Sequence, residues 1–119
     1  MIVECVSLID ENGYHANEWL TPSRRYVVLF VSILDTPKFA VLDDSGSYSW
    51  WKASVFRTTS TRIPENWGIR VNGDSGVDIG PLSWMRPGFW EELADGVAGA
   101  KADFEAQVAL TSLANEEAQ

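Results

Sequence analysis

The sequence predicts an α+β fold that is mainly β: a small antiparallel barrel with a C-terminal helical segment packed on it. Two observations support this. Up to about residue 79, short apolar stretches alternate with turn residues, which is typical of strands. Beyond that point the apolar period becomes three or four residues, which is typical of helices. We expect residues 1–119 to form one domain, with the barrel in 1–72 and a short strand plus acidic helices in 73–119.

Turn signals divide the first part of the chain into candidate strands. Residues 26–33 (YVVLFVSI) are the strongest of these, and their nearly unbroken β-branched and apolar character indicates burial on both faces. Residues 43–46 (DDSG) predict a hairpin turn. The remaining predicted strands are 2–9, 18–20, 38–42, 48–52, 55–59, 67–71 and 77–79.

The residues after Pro87 carry a helical pattern. Gly96 and Gly99 weaken its middle by about 1 kcal/mol each relative to alanine. We therefore expect a short helix over 88–95, a longer one over 97–113, and fraying at 115–119. Six apolar side chains share one predicted stripe, which is expected to dock on the barrel beside Trp84: Trp90, Leu93, Val97, Ala100, Phe104 and Val108.

The charge is concentrated near the C-terminus. The chain carries a net charge of −8, and the residues after Asn72 contain nine acids but only Arg86 and Lys101 as bases. This balance disfavours nucleic acid and anionic membranes as partners, because phosphates need a positive surface. It indicates a basic protein partner, or solubility alone. The candidate contacts are Glu91, Glu92, Asp95, Asp103 and Glu105, with Asp43 and Asp44 as a second patch.

Cysteine usage and hydropathy predict a cytoplasmic protein. Cys5 is the only cysteine, which excludes an internal disulfide and predicts a buried strand thiol. The first residues lack a signal-peptide pattern, because Glu4 interrupts the apolar stretch. No apolar run approaches the roughly 20 residues that a membrane helix needs.

No motif in the sequence predicts an enzyme, a metal site or a cofactor. His15 is the only histidine and falls in a polar loop, where a solvated side chain is the simpler interpretation. Glu91 and Glu92 are consecutive, so on a helix they point about 100° apart and are explained by the helix dipole. Phosphate-binding glycine motifs are absent. A small enzyme of unknown reaction is kept as a remote alternative.

Three short segments resemble an SH3-type barrel: residues 20–29 (LTPSRRYVVL), 49–53 (SWWKA) and 63–67 (IPENW). The first is similar to that family's turn into its second long strand, the second to its paired tryptophans, and the third to its proline-containing 3₁₀ segment. Carried over by position, Trp50, Pro64 and Trp67 would line a groove for proline-rich peptides. Because Trp50 and Trp51 are adjacent on a strand, they face opposite sides, and either ring could be core or exposed anchor.

Other segments depart from eukaryotic SH3 domains. Residues 7–10 (SLID) lack that family's aromatic motif, and hairpin 38–46 resembles small bacterial SH3-like proteins that do not bind proline-rich ligands. Residues 80–92 resemble uncharacterised bacterial proteins, some similar to toxin immunity proteins. These likenesses imply a protein-binding immunity or inhibitor protein whose acidic surface meets a basic partner such as a toxin. The alternative is an SH3-like peptide-binding adaptor. A homodimer could form through an uncovered strand edge or through the tryptophan surface.

Overall fold

A computed structural model describes residues 1–10 and 12–118, with side chains up to residue 112. These residues form an antiparallel β-sheet followed by two helices. The strands are β1 (Ile2–Cys5), β2 (Arg25–Ile33), β3 (Pro37–Leu42), β4 (Tyr48–Lys52), β5 (Phe56–Ser60), β6 (Trp67–Val71) and β7 (Val77–Pro81), and the helices are α1 (Phe89–Ala94) and α2 (Ala98–Ala118).

Strand β2 organises the sheet. It pairs with β1, β3 and β7, and the strand order runs β4-β3-β2-β1-β5, with β6 attached to β7. The pairing of β2 with β3 shifts register between Val28 and Phe30. Such a shift lets a strand bend and change its partners. The described pairings leave the sheet open, so they show an antiparallel sheet and not the closed barrel that the sequence predicts.

The apolar side chains of β2 belong to two hydrophobic core clusters. Val28 and Val31 belong to a first cluster, which also contains Val3 and Trp67. Leu29 and Phe30 belong to a second cluster, which contains the neighbouring Ala40 of β3. The prediction that β2 is buried on both faces is therefore confirmed. Cys5 is 1% exposed in the first cluster, as expected of a strand thiol.

The C-terminal helices cover the second cluster. Trp84 is 1% exposed and stacks on Phe89 at 5.5 Å and on Phe104 at 5.4 Å between ring centroids. Ala100 and Phe104 of α2 face this cluster, so the predicted stripe docks as expected. Val97 departs from the stripe and is 42% exposed. It lies between the helices after Gly96, whose φ of 74° breaks the helical phase.

Several boundaries differ from the prediction. Residues 18–20 are not a strand, because the amides of Trp19 and Leu20 both donate to the carbonyl of Ala16 and close a turn. Strand β1 ends at Cys5, and farther along Ile9 makes only an isolated bridge with His15.

Residues 63–67, which resemble a 3₁₀ segment in sequence, do not form one, and a 3₁₀ turn at Ala53–Val55 precedes β5. Helix α2 continues to Ala118, past the expected end at residue 113. The expectation that residues 115–119 fray does not match this backbone over 115–118, and Gln119 lies outside the described residues.

Strand β6 is an outer strand of the described sheet and pairs only with β7. Its Ile69 and Val71 are 68% and 71% exposed. The homodimer through an uncovered strand edge stays a prediction, and β6 is one of the outer strands that could take part in it, beside β4 and β5. In the part of the chain that the structure describes, no helix has the length and hydropathy to cross a membrane.

Candidate functional site

Asp43 and Asp44, the predicted second acidic patch, both accept hydrogen bonds from other residues of the chain. Asp43 is buried, and its Oδ1 accepts the amide of Ser45 at 2.9 Å, which shapes the hairpin turn. Asp44 accepts the hydroxyls of Thr21 at 2.7 Å and Tyr26 at 2.9 Å, and it pairs with Arg24 at 3.2 Å. Asp43 is therefore satisfied by hydrogen bonds from Ser45, and of the two carboxylates only Asp44 has a described ion pair, with Arg24. Both carboxylates are engaged within the chain, and their role in binding a partner stays a prediction.

The five acids predicted on the helices do not lie on one surface. Glu92 pairs with Arg86, and Asp103 accepts the hydroxyl of Ser83 at 3.1 Å. Glu105 is two residues from Asp103, about 200° around the helix. It borders a different hollow of about 360 Å³ beside Lys101 and Tyr48. Asp103 and Glu105 therefore lie on opposite flanks of α2 and do not share one acidic surface.

Glu91 is exposed within α1, Asp95 is exposed directly after it, and Glu105 is exposed on α2. The described ion pairs and hydrogen bonds between side chains use none of these three carboxylates. They are the predicted acids that stay available to a partner.

The predicted peptide groove of Trp50, Pro64 and Trp67 is not assembled. Trp67 is 8% exposed in the first cluster, and Pro64 is buried. Trp50 is half-buried and packs on Trp90, with 5.1 Å between ring centroids. The segment 63–67 leads into strand β6 instead of forming a groove wall, which is the physical reason for this correction.

A different groove contains Trp50. Its cavity volume is about 630 Å³, and it lies between the loop 6–24 and strands β3 and β4. We call it the aromatic groove. Its lining comprises four aromatic residues and five polar or charged ones: Tyr14, Trp19, Trp50 and Trp51, with Asp10, Asn12, His15, Lys38 and Lys52.

The loop wall of the aromatic groove is held by two local anchors. At its tip, Asp10 Oδ1 accepts the amides of Asn12 at 2.8 Å and Tyr14 at 3.0 Å. This turn uses Gly13 at a φ of 84°, a conformation that glycine adopts without steric cost. It presents Tyr14 with 69% of its surface exposed.

At the other end of the loop, the amide of Asp44 donates to the carbonyl of Trp19 at 2.9 Å. The Trp19 ring lies 5.8 Å from the Trp51 ring at an angle of 46°, and 38% of Trp19 stays exposed. Trp51 is fixed in turn, because its Nε1 donates to Ser49 Oγ at 2.7 Å. The aromatic groove thus has a fixed floor and a wall tied to the hairpin.

The aromatic groove escaped the sequence-based prediction because two of its rings lie in the loop. The sequence pattern predicts a strand at residues 18–20. Tyr14 lies beside His15 in a segment that is typical of a polar loop. A usable signal existed: aromatic residues inside a loop bounded by turn residues have no periodic partner in a core. Such side chains are candidates for an exposed binding surface.

Two side chains of the described residues, Cys5 and Tyr26, have a shifted pKa. In the described residues, no three His, Cys, Asp or Glu side chains converge in a way that could hold a metal ion. Burial raises the pKa of the Cys5 thiol, which opposes its use as a nucleophile. Burial, together with the Asp44 carboxylate, also raises the pKa of Tyr26. Tyr26 is an anchor of the loop and is absent from the groove lining.

Comparison of the chain with protein-family models, with curated proteins and with solved structures gives no significant match.

Proposed function

We propose that this chain is a non-enzymatic protein-interaction module, and that the aromatic groove binds an extended peptide segment of its partner. The observation that carries the proposal is the grouping of exposed Tyr14 and Trp19 with Trp51 around one hollow. Tryptophan and tyrosine dominate interface energetics, because they offer a large contact area at low entropic cost. The volume of about 630 Å³ falls within the usual range for ligand sites.

The strand arrangement supports the SH3-like relationship as part of this proposal. Five strands follow the order β4-β3-β2-β1-β5, and a 3₁₀ turn separates β4 from β5. A five-stranded unit of this kind, with a long loop after β1, is the arrangement that an SH3-like barrel implies. The groove between that loop and the sheet then serves as the peptide site in place of Trp50, Pro64 and Trp67.

The proposal is tested by titrating the full chain with a tryptophan-free decapeptide containing two Pro-x-x-Pro units. We expect a saturable change in tryptophan fluorescence. Trp19→Ala should weaken binding at least about tenfold, which corresponds to 1.4 kcal/mol. Leu110→Ala is the matched control, because Leu110 is 53% exposed on α2 away from the groove. No change with the wild-type chain at millimolar peptide would contradict a peptide-binding groove.

A second candidate keeps the immunity-type function, in which the acidic surface meets a basic partner such as a toxin. It is favoured by the exposure of Glu91, Asp95 and Glu105 and by the net charge of −8. Complementary charge raises association rates at low salt.

The immunity-type function is tested by affinity capture from the native host with the wild type and with a Glu91→Gln, Asp95→Asn, Glu105→Gln variant. A basic protein should be lost from the variant and at high salt, and equal capture by both chains would refute this candidate.

A further inference from the structure

Three strands of the described sheet, β4, β5 and β6, lie at its outer edges, and they differ in the side chains that they expose. The exposed residues of β5 are Arg57, Thr58 and Thr59, and every residue of β4 is half-buried. Strand β6 instead exposes Ile69 and Val71, at 68% and 71%. Among these outer strands, β6 is therefore the one that exposes β-branched apolar side chains.

In the described structure, the backbone of β6 has no strand partner on the side away from β7. Just after β6, the amide of Asn72 donates to the carbonyl of Gly76 at 2.8 Å, in the register of the β6–β7 pairing. Because bonded and non-bonded pairs alternate along an antiparallel ladder, the even-numbered residues of β6 bond to β7. Ile69 and Val71 consequently direct their N–H and C=O groups to the open edge. This edge presents donors and acceptors at the spacing of a further strand.

Outer strands are commonly protected by a charged side chain that opposes pairing with another chain. Arg70 is the only charged residue of β6, and other parts of the chain hold it. Its guanidinium donates to the carbonyl of Met85, and its Nη2 lies 3.2 Å from Asp78 Oδ2. Because side chains alternate along a strand, Arg70 also lies on the face opposite to Ile69 and Val71. The apolar face of β6 therefore has no charged residue of its own.

We propose that β6 pairs antiparallel with β6 of a second copy of this chain, about a two-fold axis at Ile69. In this register the Ile69 N–H of each copy donates to the Ile69 carbonyl of the other, and the Val71 N–H donates to the Trp67 carbonyl. The two Ile69 side chains lie opposite each other, and Val71 lies opposite Trp67. Pairs of β-branched and aromatic side chains stabilise neighbouring strands. Each copy contributes the same surface, as two-fold symmetry requires.

Charge selects this register and a second copy as the occupant. Arg70 lies opposite Gly68 in the proposed pairing, so no like charges face each other. A shift that placed Ile69 opposite Val71 would set Arg70 opposite Arg70 of the other copy, which destabilises a strand pair. A shift in the other direction would place Val71 opposite Glu65, which precedes the strand. The net charge of −8 on each copy opposes association at long range, and salt screens this repulsion beyond about 8 Å at physiological ionic strength.

Sedimentation equilibrium of the full chain tests the proposal. We expect the mean mass to rise from one chain toward two between roughly 10 μM and 1 mM, and association to strengthen when salt is added. Ile69→Lys should raise the dissociation constant of the dimer at least about tenfold, because it places like charges at the two-fold axis. Leu110→Lys makes the same charge change at a residue that is 53% exposed on α2, and it should dimerise like the wild type. So should Trp19→Ala, because the inference does not depend on the aromatic groove.

A wild-type chain that stays monomeric at about 1 mM overturns the proposal, and a separate peptide-binding groove is unaffected by that result. Equal association of Ile69→Lys and Leu110→Lys, in variants that thermal unfolding shows to be folded, also overturns it. Loss of the dimer in Trp19→Ala alone would assign the contact to the tryptophan surface and overturn the β6 pairing.

Ile69→Cys tests the register. Residues opposite each other in a hydrogen-bonded antiparallel pair have Cα atoms about 5.5 Å apart, within reach of a disulfide. Mild oxidation should therefore join two copies of Ile69→Cys, which a non-reducing gel detects, whereas Cys5 is 1% exposed and does not compete. Val71→Cys is the matched control, because its two copies would lie roughly 13 Å apart along the strands. Equal or stronger joining of Val71→Cys, or joining of neither variant, overturns the proposed pairing.

Discussion

Trp84 and Trp19, on the two sides of the sheet, differ in solvent exposure, and their local sequence does not predict this difference. Trp84 is 1% exposed, enclosed by rings that α1 and α2 bring with them. Trp19 is 38% exposed and leans on Trp51 beside an open groove. The difference shows that the burial of a large ring depends on whether an element farther along the chain packs on it. The helices cover the rings on one side of the sheet, and the groove on the other side stays open.

The largest effect that tests this comparison is expected at Trp84. Trp84→Ala should lower the free energy of unfolding by about 3–5 kcal/mol, because it empties the centre of the second cluster. Trp19→Ala should cost less than about 1 kcal/mol, because its ring is only partly enclosed. Urea unfolding followed by circular dichroism measures both. Equal losses would show that the groove side is as much a core as the covered side.

A second prediction concerns two glycines. A Cβ at Gly80 would lie 2.3 Å from Phe30 Cδ2 in the second cluster, so Gly80→Ala should destabilise by about 1–3 kcal/mol through overpacking. A Cβ at Gly99 in α2 meets no atom within 4 Å, so Gly99→Ala should stabilise by up to about 1 kcal/mol. Midpoints of urea unfolding give both values. Stabilisation by Gly80→Ala would contradict tight packing on the covered side.

The third prediction concerns the anchor of the groove wall. The Tyr26 hydroxyl donates to Asp44 at 2.9 Å and accepts the Thr21 amide at 2.6 Å. Tyr26→Phe should lower the free energy of unfolding by about 1–2 kcal/mol, because it leaves these partners unsatisfied. It should also weaken peptide binding, since Trp19 lies two residues before Thr21. Unchanged binding in a folded variant would show that the wall does not need this anchor.

The same anchor gives a pH dependence. The pKa of Tyr26 is raised in the folded chain, so folding stabilises the protonated phenol. This contribution is complete below the unfolded value of about 10 and is lost as the pH rises through the higher folded pKa. The stability difference between wild type and Tyr26→Phe should therefore shrink at strongly alkaline pH. If the stability difference instead grew at alkaline pH, the pKa of Tyr26 would be lowered by folding and not raised.

Much of the fold follows from local pattern. The β-branched run at 26–33 and the hairpin turn at 43–46 are found where they were predicted, and Gly46 has the φ of 83° that such a turn needs. The helical stripe was also predicted, because Ala100 and Phe104 recur at one helical face. The position of the 3₁₀ turn was not, because the proline in 63–67 fits a strand entry as well as a turn.

The candidate site was far less predictable. Trp50 lies in a groove other than the predicted one, and its neighbours Trp19 and Tyr14 come from a loop that no periodicity describes. The acids on the helices were predicted to share one surface, but the positions of Asp103 and Glu105 depend on which face of α2 docks on the sheet. Pairings such as Asp44 with Tyr26 join residues 18 positions apart, and only the folded chain brings them together.

Trp50 borders the aromatic groove and also contacts Trp90 of α1. The Trp50 indole thus lies between the aromatic groove and the second cluster, so a displacement of the ring changes its contacts on both sides. Should a peptide bind in the groove as proposed, a movement of the Trp50 ring would therefore also change its contact with Trp90 of α1.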